Sequence, residues 1–104
     1  MSKNAISAAL LKAAKEELQI TWNDENVRLK GILARGVSYL NDRAGEPLDY
    51  GAEDIPRQLL FEYARYARAE ALHEFRANYQ SELIGLRRRK QGERYGKENG
   101  TAVH

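Results

Sequence analysis

No cysteine occurs anywhere in the chain. Disulfide staples and thiolate metal sites are therefore excluded, and nothing reads as a secreted disulfide framework. Proline is nearly missing too, with Pro47 and Pro56 the only two. No stretch sustains the apolar–polar alternation of a half-buried strand. No run approaches the ~20 consecutive apolar residues of a membrane span. The N-terminal stretch MSKNAISAALLKAAKEELQ carries charges throughout, so it lacks the unbroken apolar core of a signal peptide. These absences lead to the expectation of one soluble, intracellular, all-helical domain with no membrane partner. At 104 residues such a chain buries roughly two-thirds of the surface its unfolded form exposes, enough for an independent but not a generous core.

Groups that carry chemistry are equally scarce. His73 is the only internal histidine, and its neighbours offer no metal-ligand spacing. The other histidine, His104, is terminal. There is no glycine-rich phosphate loop, no His-x-x-x-His and no nucleophile motif. The pairs Glu16–Glu17 and Glu70–Glu74 read as solvated charge, since a working carboxylate dyad needs a pocket that so short a chain hardly encloses. The expectation is a protein that is not an enzyme, with no catalytic, cofactor-binding or metal-binding residues and no cofactor.

What is present is helix. Ile6, Leu10, Ala13, Ala14 and Leu18 share one side of an alanine-rich segment, Ala5–Leu18. A second helix is expected after ITWNDENV, with Asn23 as N-cap and Trp22 stapled to Val27; Thr21 with Asp24 is the competing cap. Asp24 and Glu25 then fall in the first turn, where the helix dipole favours negative charge. Leu29, Ile32, Leu33, Gly36, Val37 and Leu40 form its apolar stripe, opposite Arg28, Arg35, Ser38 and Asp42. Gly45 and Pro47 end it. The loop GEPLDYGAED runs about ten residues, against roughly 2–8 in a small helical bundle. Asp54 is the next N-cap, with Pro56 tolerated in the first turn. A third helix over Ile55–Ala77 and a fourth over Tyr79–Lys90 follow, and the spacing leaves open whether they are continuous. The architecture expected is a bundle of about four helices over residues 1–90, followed by a flexible basic tail over residues 91–104.

Net charge is only +2, but it is unevenly placed. Ile84 to His104 holds six basic residues and two acidic ones, a balance of +4, which leaves −2 for residues 1–83. A weakly acidic body argues against a nucleic-acid binder with a basic face on its fold. Arg87–Lys90 would complement a helix C-terminus, but the cluster continues through Arg94, Tyr95 and Lys97. Such a tail can fold onto DNA, RNA or an acidic protein surface.

The stretch RQLLFEYARYARAEALHEF, residues 57–75, interleaves rings with arginines. At ~100° per residue it divides into three stripes. Leu60, Ala64, Ala67, Ala71 and Phe75 make a small-residue stripe that suits close approach to the second helix. Leu59, Tyr63, Tyr66 and Glu70 lie beside it. Phe61, Arg65, Arg68 and Leu72 lie on the far side, where little chain remains to cover them. Rings spread around a helix make no stacking platform for bases. The far stripe reads instead as an exposed, arginine-edged seam for a protein contact.

The order of these features resembles the head–tail connector, or adaptor, proteins of tailed bacteriophages. The likeness covers Leu10–Arg88: a short helix ending in LQIT, an acidic start to the next, YLNDRAG, a polar loop, then a Tyr/Arg-rich helix ending in F…NY…EL. It implies a structural virion protein at the head–tail interface, present in the host cytoplasm during assembly. In that family the adaptors form a ring, typically a dodecamer, on the portal protein after DNA packaging, and can be monomeric before meeting it. The ring extends the DNA channel, through which DNA passes without sequence-specific binding, and docks the next connector or stopper protein. By analogy Arg87, Arg88, Arg89, Lys90, Arg94 and Tyr95 would grip the portal or another partner, and Phe61, Arg65, Arg68 and Leu72 would form the subunit interface. The Gly45–Glu53 loop would be available for contacts between subunits or rings. The reading from a different class is a small helical nucleic-acid-binding or regulatory protein acting through its basic tail.

Overall fold

The structure is a computed structural model that describes residues 6–52 and 54–99, with side chains as far as residue 92. Among the described residues there are five helices and no strand: α1 (Ala8–Glu17), α2 (Asn26–Ala44), α3 (Ile55–Arg68), α4 (Leu72–Asn78) and α5 (Gln80–Asn99). The all-helical class agrees with the sequence, but the count is five rather than four. Helix α2 is the hub and packs on α1, α3 and α5. Its expected stripe, Leu29 through Leu40, is buried throughout.

The α2–α3 seam is set by a missing side chain. A Cβ built on Gly36 would stand 2.7 Å from Leu60 Cδ1 and 2.8 Å from Tyr63 Cδ1. Real carbon atoms do not approach so closely, so the absent side chain lets α3 lie directly on the α2 backbone. Leu60 and Ala64, from the small-residue stripe, are fully buried. The other end of that stripe does not exist as drawn, because Ala71 and Phe75 no longer belong to the same helix.

The break between α3 and α4 has a clear hydrogen-bond signature. The Glu70 N–H donates to the Ala67 carbonyl at 3.0 Å and the Ala71 N–H to the Tyr66 carbonyl at 2.8 Å. Glu70 itself has φ 57°. This is a Schellman stop, whose left-handed position is normally glycine. The end of α1 repeats it: Gln19 has φ 60°, its N–H donates to Glu16 at 3.2 Å, and the Ile20 N–H donates to Lys15 at 2.8 Å. Ile20, one residue beyond the stop, is buried. Neither stop has a glycine, so neither interrupts the helical pattern in the sequence. At α2 the expected stop is present, with Gly45 at φ 83°.

The turn at Glu70 folds α4 back so that Phe75 enters the core with no exposed surface. Its ring lies 5.6 Å from Tyr63, 5.9 Å from Tyr66, 6.3 Å from Tyr39 and 5.0 Å from Tyr79. Three of these contacts are edge-on, the arrangement in which ring quadrupoles attract. Straight continuation from α3 would carry Phe75 past this cluster.

The start of α2 also differs from expectation. The helix begins at Asn26, preceded by Glu25, with no side-chain cap. Val27 is 85% exposed, so the Trp22–Val27 staple does not form. Asn23 is occupied elsewhere: its Oδ1 accepts from Lys15 Nζ at 2.7 Å, and the same ammonium donates to Asn26 Oδ1 at 2.8 Å. That pair of bonds ties α1 to the start of α2.

The long loop is pinned to α2 at Leu48 and Tyr50, while Gly45, Pro47, Asp49, Gly51 and Ala52 are exposed. Asn41 Oδ1 accepts from the Leu48 N–H at 3.1 Å and from the Tyr50 hydroxyl at 2.8 Å. Tyr50 is buried, and burial raises its phenol well above the usual value, so it stays a donor. Asp54 caps α3 through Oδ1 and the Ile55 N–H, with Pro56 in the first turn, as expected. Helix α5 continues to Asn99 instead of ending near Lys90, through much of the segment expected to be a flexible tail; residues 100–104 lie outside the described residues. Leu83 and Leu86 are its buried contacts, and from Arg87 to Gly92 no residue is buried.

Glycine at position 70 tests the stop. Glu70→Gly is expected to leave stability unchanged or raise it by up to about 1 kcal/mol, because relief of the left-handed backbone outweighs the lost chain stiffness. A loss of about 1 kcal/mol in urea denaturation, the ordinary cost of glycine within a helix, would show that α3 and α4 are continuous.

Candidate functional site

The far stripe of α3, expected to be an exposed seam, is largely closed within the chain itself. Phe61 is only 8% exposed, with the Arg57 guanidinium 5.6 Å over its ring. Leu72 is half-buried against the core. Arg68 is committed to Glu25: its Nη2 donates to Oε2 and Oε1 at 3.2 Å each, and its Nε to Oε1 at 3.4 Å. Arg65 pairs with Glu62 at 3.4 Å and with Glu17 of α1 at 3.7 Å. The expectation that Phe61 and Leu72 stand exposed is therefore corrected. Glu17 of α1 and Glu25 just before α2 arrive to meet the two arginines of the stripe. Arg65, with its side chain 46% exposed, is the member of the set still well placed for an outside contact.

Glu25 is the centre of this closure. Besides Arg68 it accepts from Trp22 Nε1 at 2.9 Å and from Arg28 at 3.3 Å. The Trp22 indole bond is the largest influence holding its carboxyl below the usual value; partial burial opposes this, and the Arg68 bond and charge reinforce it. Only the Trp22 and Arg28 contacts are local in sequence. The Arg68 contact spans the fold, so no sequence spacing announces it.

The basic cluster sits on the part of α5 that leaves the core. Arg87, Arg88 and Arg89 are exposed, and Lys90 is half-buried. At ~100° per residue these four sweep most of the way around the helix, so they do not form one flat face. Arg94 and Tyr95 lie within α5, and their side chains fall outside the described residues. His73 is exposed and 3.8 Å from Glu74. Among the described residues no cluster of His, Cys, Asp or Glu could hold a metal ion, and no helix is long and apolar enough to cross a membrane.

Two grooves of opposite charge flank the buried side of α5. One, about 400 Å³, lies between the end of α2, α4 and α5 and brings Arg43, Arg76 and Arg87 around Tyr39, Leu83 and Ile84. No carboxylate lines it. The other, about 780 Å³, lies between α1, α3 and α5 and carries Glu16, Glu17, Glu62 and Glu82, with Arg57. Beside it the Tyr79 hydroxyl donates to Glu62 Oε1 at 3.3 Å. Burial first, then the Glu62 charge, raises the Tyr79 phenol. Of the first groove's three arginines only Arg87 stood out in the sequence. Arg43 and Arg76 are isolated there, and the fold alone brings them together.

The Glu25 clamp has a pH signature. A carboxyl held below its ordinary 4.5 contributes stability that is fully present above that value and lost as pH falls through the lowered folded value. Glu25→Gln is expected to lower the melting temperature at neutral pH, with the gap to the parent chain closing as pH falls below the ordinary carboxylate range and through the lowered folded value. A gap independent of pH would place the effect in packing rather than in the ion pair. In the comparisons with known proteins, the chain matches no protein-family model, no curated protein and no solved structure.

Proposed function

We propose that the chain is a structural virion protein, a head–tail connector adaptor that assembles as a ring on the portal of a tailed bacteriophage after DNA packaging. The observation that carries the reading is the ordered likeness over Leu10–Arg88, from LQIT through YLNDRAG to the Tyr/Arg-rich helix. The all-helical fold is compatible with it. A second support is the form of α5, which leaves its own core after Leu86 and presents Arg87, Arg88 and Arg89 to solvent. An exposed helical arm with no fully buried residue from Arg87 to Gly92 is a natural element for reaching another protein.

In this reading α5 is the gripping element for the portal, and the ring extends the DNA channel and docks the next connector or stopper. Ring neighbours meet through two different faces of the same chain. The ion pairs of α3 narrow the candidate for one of these faces. Arg68 holds Glu25 within the subunit, whereas Arg65 remains well exposed.

The test is co-sedimentation with portal-containing, DNA-packaged heads that lack tails. The parent chain is expected to bind. Arg87→Glu, Arg88→Glu and Arg89→Glu together are expected to abolish binding while helix content by circular dichroism is retained. Arg65→Glu is expected to weaken ring formation without unfolding the monomer, and an intact ring would remove Arg65 from the interface. Failure of the parent chain to bind heads, together with salt-dependent binding to naked DNA, would favour the nucleic-acid-binding reading.

A further inference from the structure

We infer that the groove between the end of α2, α4 and α5 is a docking site for an acidic peptide segment of a partner protein, anchored by an apolar side chain. The site shares Arg87 with the proposed portal grip but requires neither a ring nor a portal.

Three guanidinium groups converge on the groove, and none makes an ion pair among the described residues. Elsewhere in the body Arg28, Arg65 and Arg68 each have a carboxylate within 3.7 Å, while Arg35 and Arg57 make no ion pair among the described residues but stand outside this groove. Arg43 and Arg76 do occupy the last turns of α2 and α4, where a cation offsets the helix dipole. Arg87 stands inside α5, far from either end, and has no such role. Local helix electrostatics therefore does not account for the set.

The floor of the groove selects among anions. Ile84 is 45% exposed there, beside the buried Leu83 and the half-buried Tyr39. An exposed aliphatic side chain ringed by arginines matches the composition of protein interfaces, where Arg is enriched around an apolar centre. A nucleic-acid backbone gains little from such a floor. Nor is there a ring for base stacking: Arg43 lies 5.2 Å over Tyr39, and Tyr63 packs 5.8 Å from the same ring. A volume of about 400 Å³ suits one or two side chains rather than a duplex. A peptide with Leu, Ile or Phe between Asp or Glu residues satisfies both parts, the apolar group on Ile84 and the carboxylates in charge-assisted bonds to the guanidinium groups. The acidic groove across α5 is not the natural occupant, since two concave surfaces do not interdigitate.

The test begins with selection from a random-peptide display library on the immobilised full chain, followed by fluorescence anisotropy with synthetic copies of the enriched peptides. The expected consensus pairs two or more carboxylates with a large apolar residue. Arg76→Glu with Arg87→Glu is expected to weaken binding by about ten-fold or more, and Ile84→Ser to weaken it measurably. Glutamine in place of glutamate in the peptide should have the same effect as the arginine changes. All three positions are exposed, and circular dichroism checks that the variants stay folded. The inference is overturned if no peptide is enriched, if the consensus is neutral or basic, or if Arg76→Glu with Arg87→Glu leaves binding intact. It is also overturned if a DNA oligonucleotide occupies the groove more tightly than the selected peptides. Self-association in sedimentation equilibrium that these arginine changes abolish would instead make a second copy of the chain the occupant.

Discussion

The rest of the molecule is arranged around one inserted ring. Phe75 stands among Tyr39 of α2, Tyr63 and Tyr66 of α3, and Tyr79 at the head of α5. Reaching that position requires the chain to turn between α3 and α4, and the turn places Glu70 in a left-handed backbone. A non-glycine residue there costs about 1–2 kcal/mol, less than the several kcal/mol that a fully buried phenylalanine contributes. Tertiary packing thus overrides the local preference. The same insertion directs α5 back along α2, and so defines the two grooves that border it.

How far the sequence disclosed this depended on whether a signal was local. The α2 stripe was legible because its spacing repeats at helical period and every member is buried. Gly45, Asp54 and Pro56 were legible because each has a conformational or capping role that few other residues fill. Gln19 and Glu70 were not, since their left-handed conformation is imposed by Ile20 and Phe75 entering the core, and a glutamine or glutamate announces nothing of the kind. Trp22, Asn23 and Val27 matched a capping pattern, yet Lys15 claimed Asn23 and Glu25 claimed the Trp22 indole. Several partners competed for the same side chains, and spacing alone could not rank them.

The surface follows a similar division. On the wheel, Phe61, Arg65, Arg68 and Leu72 form a stripe with nothing visible in sequence to cover it. In the fold, Glu17 and Glu25 arrive from α1 and the start of α2 to meet the two arginines. Arg43, Arg76 and Arg87, which make no ion pair among the described residues, lie elsewhere, around α5. Arg87 was visible as part of a run, whereas Arg43 and Arg76 became part of a site only when α2 and α4 were brought together. The groove and arm of α5 therefore stand beside Arg65 on the flank of α3 as candidate contact surfaces.

The central claim is that α5 is the surface through which this chain engages a portal. Electron cryomicroscopy of purified portal protein incubated with the chain tests it most directly. The account predicts a ring of helical subunits on the portal, with α5 of each copy at the protein–protein boundary. A bare portal, or bound copies with α5 turned to solvent, would contradict it.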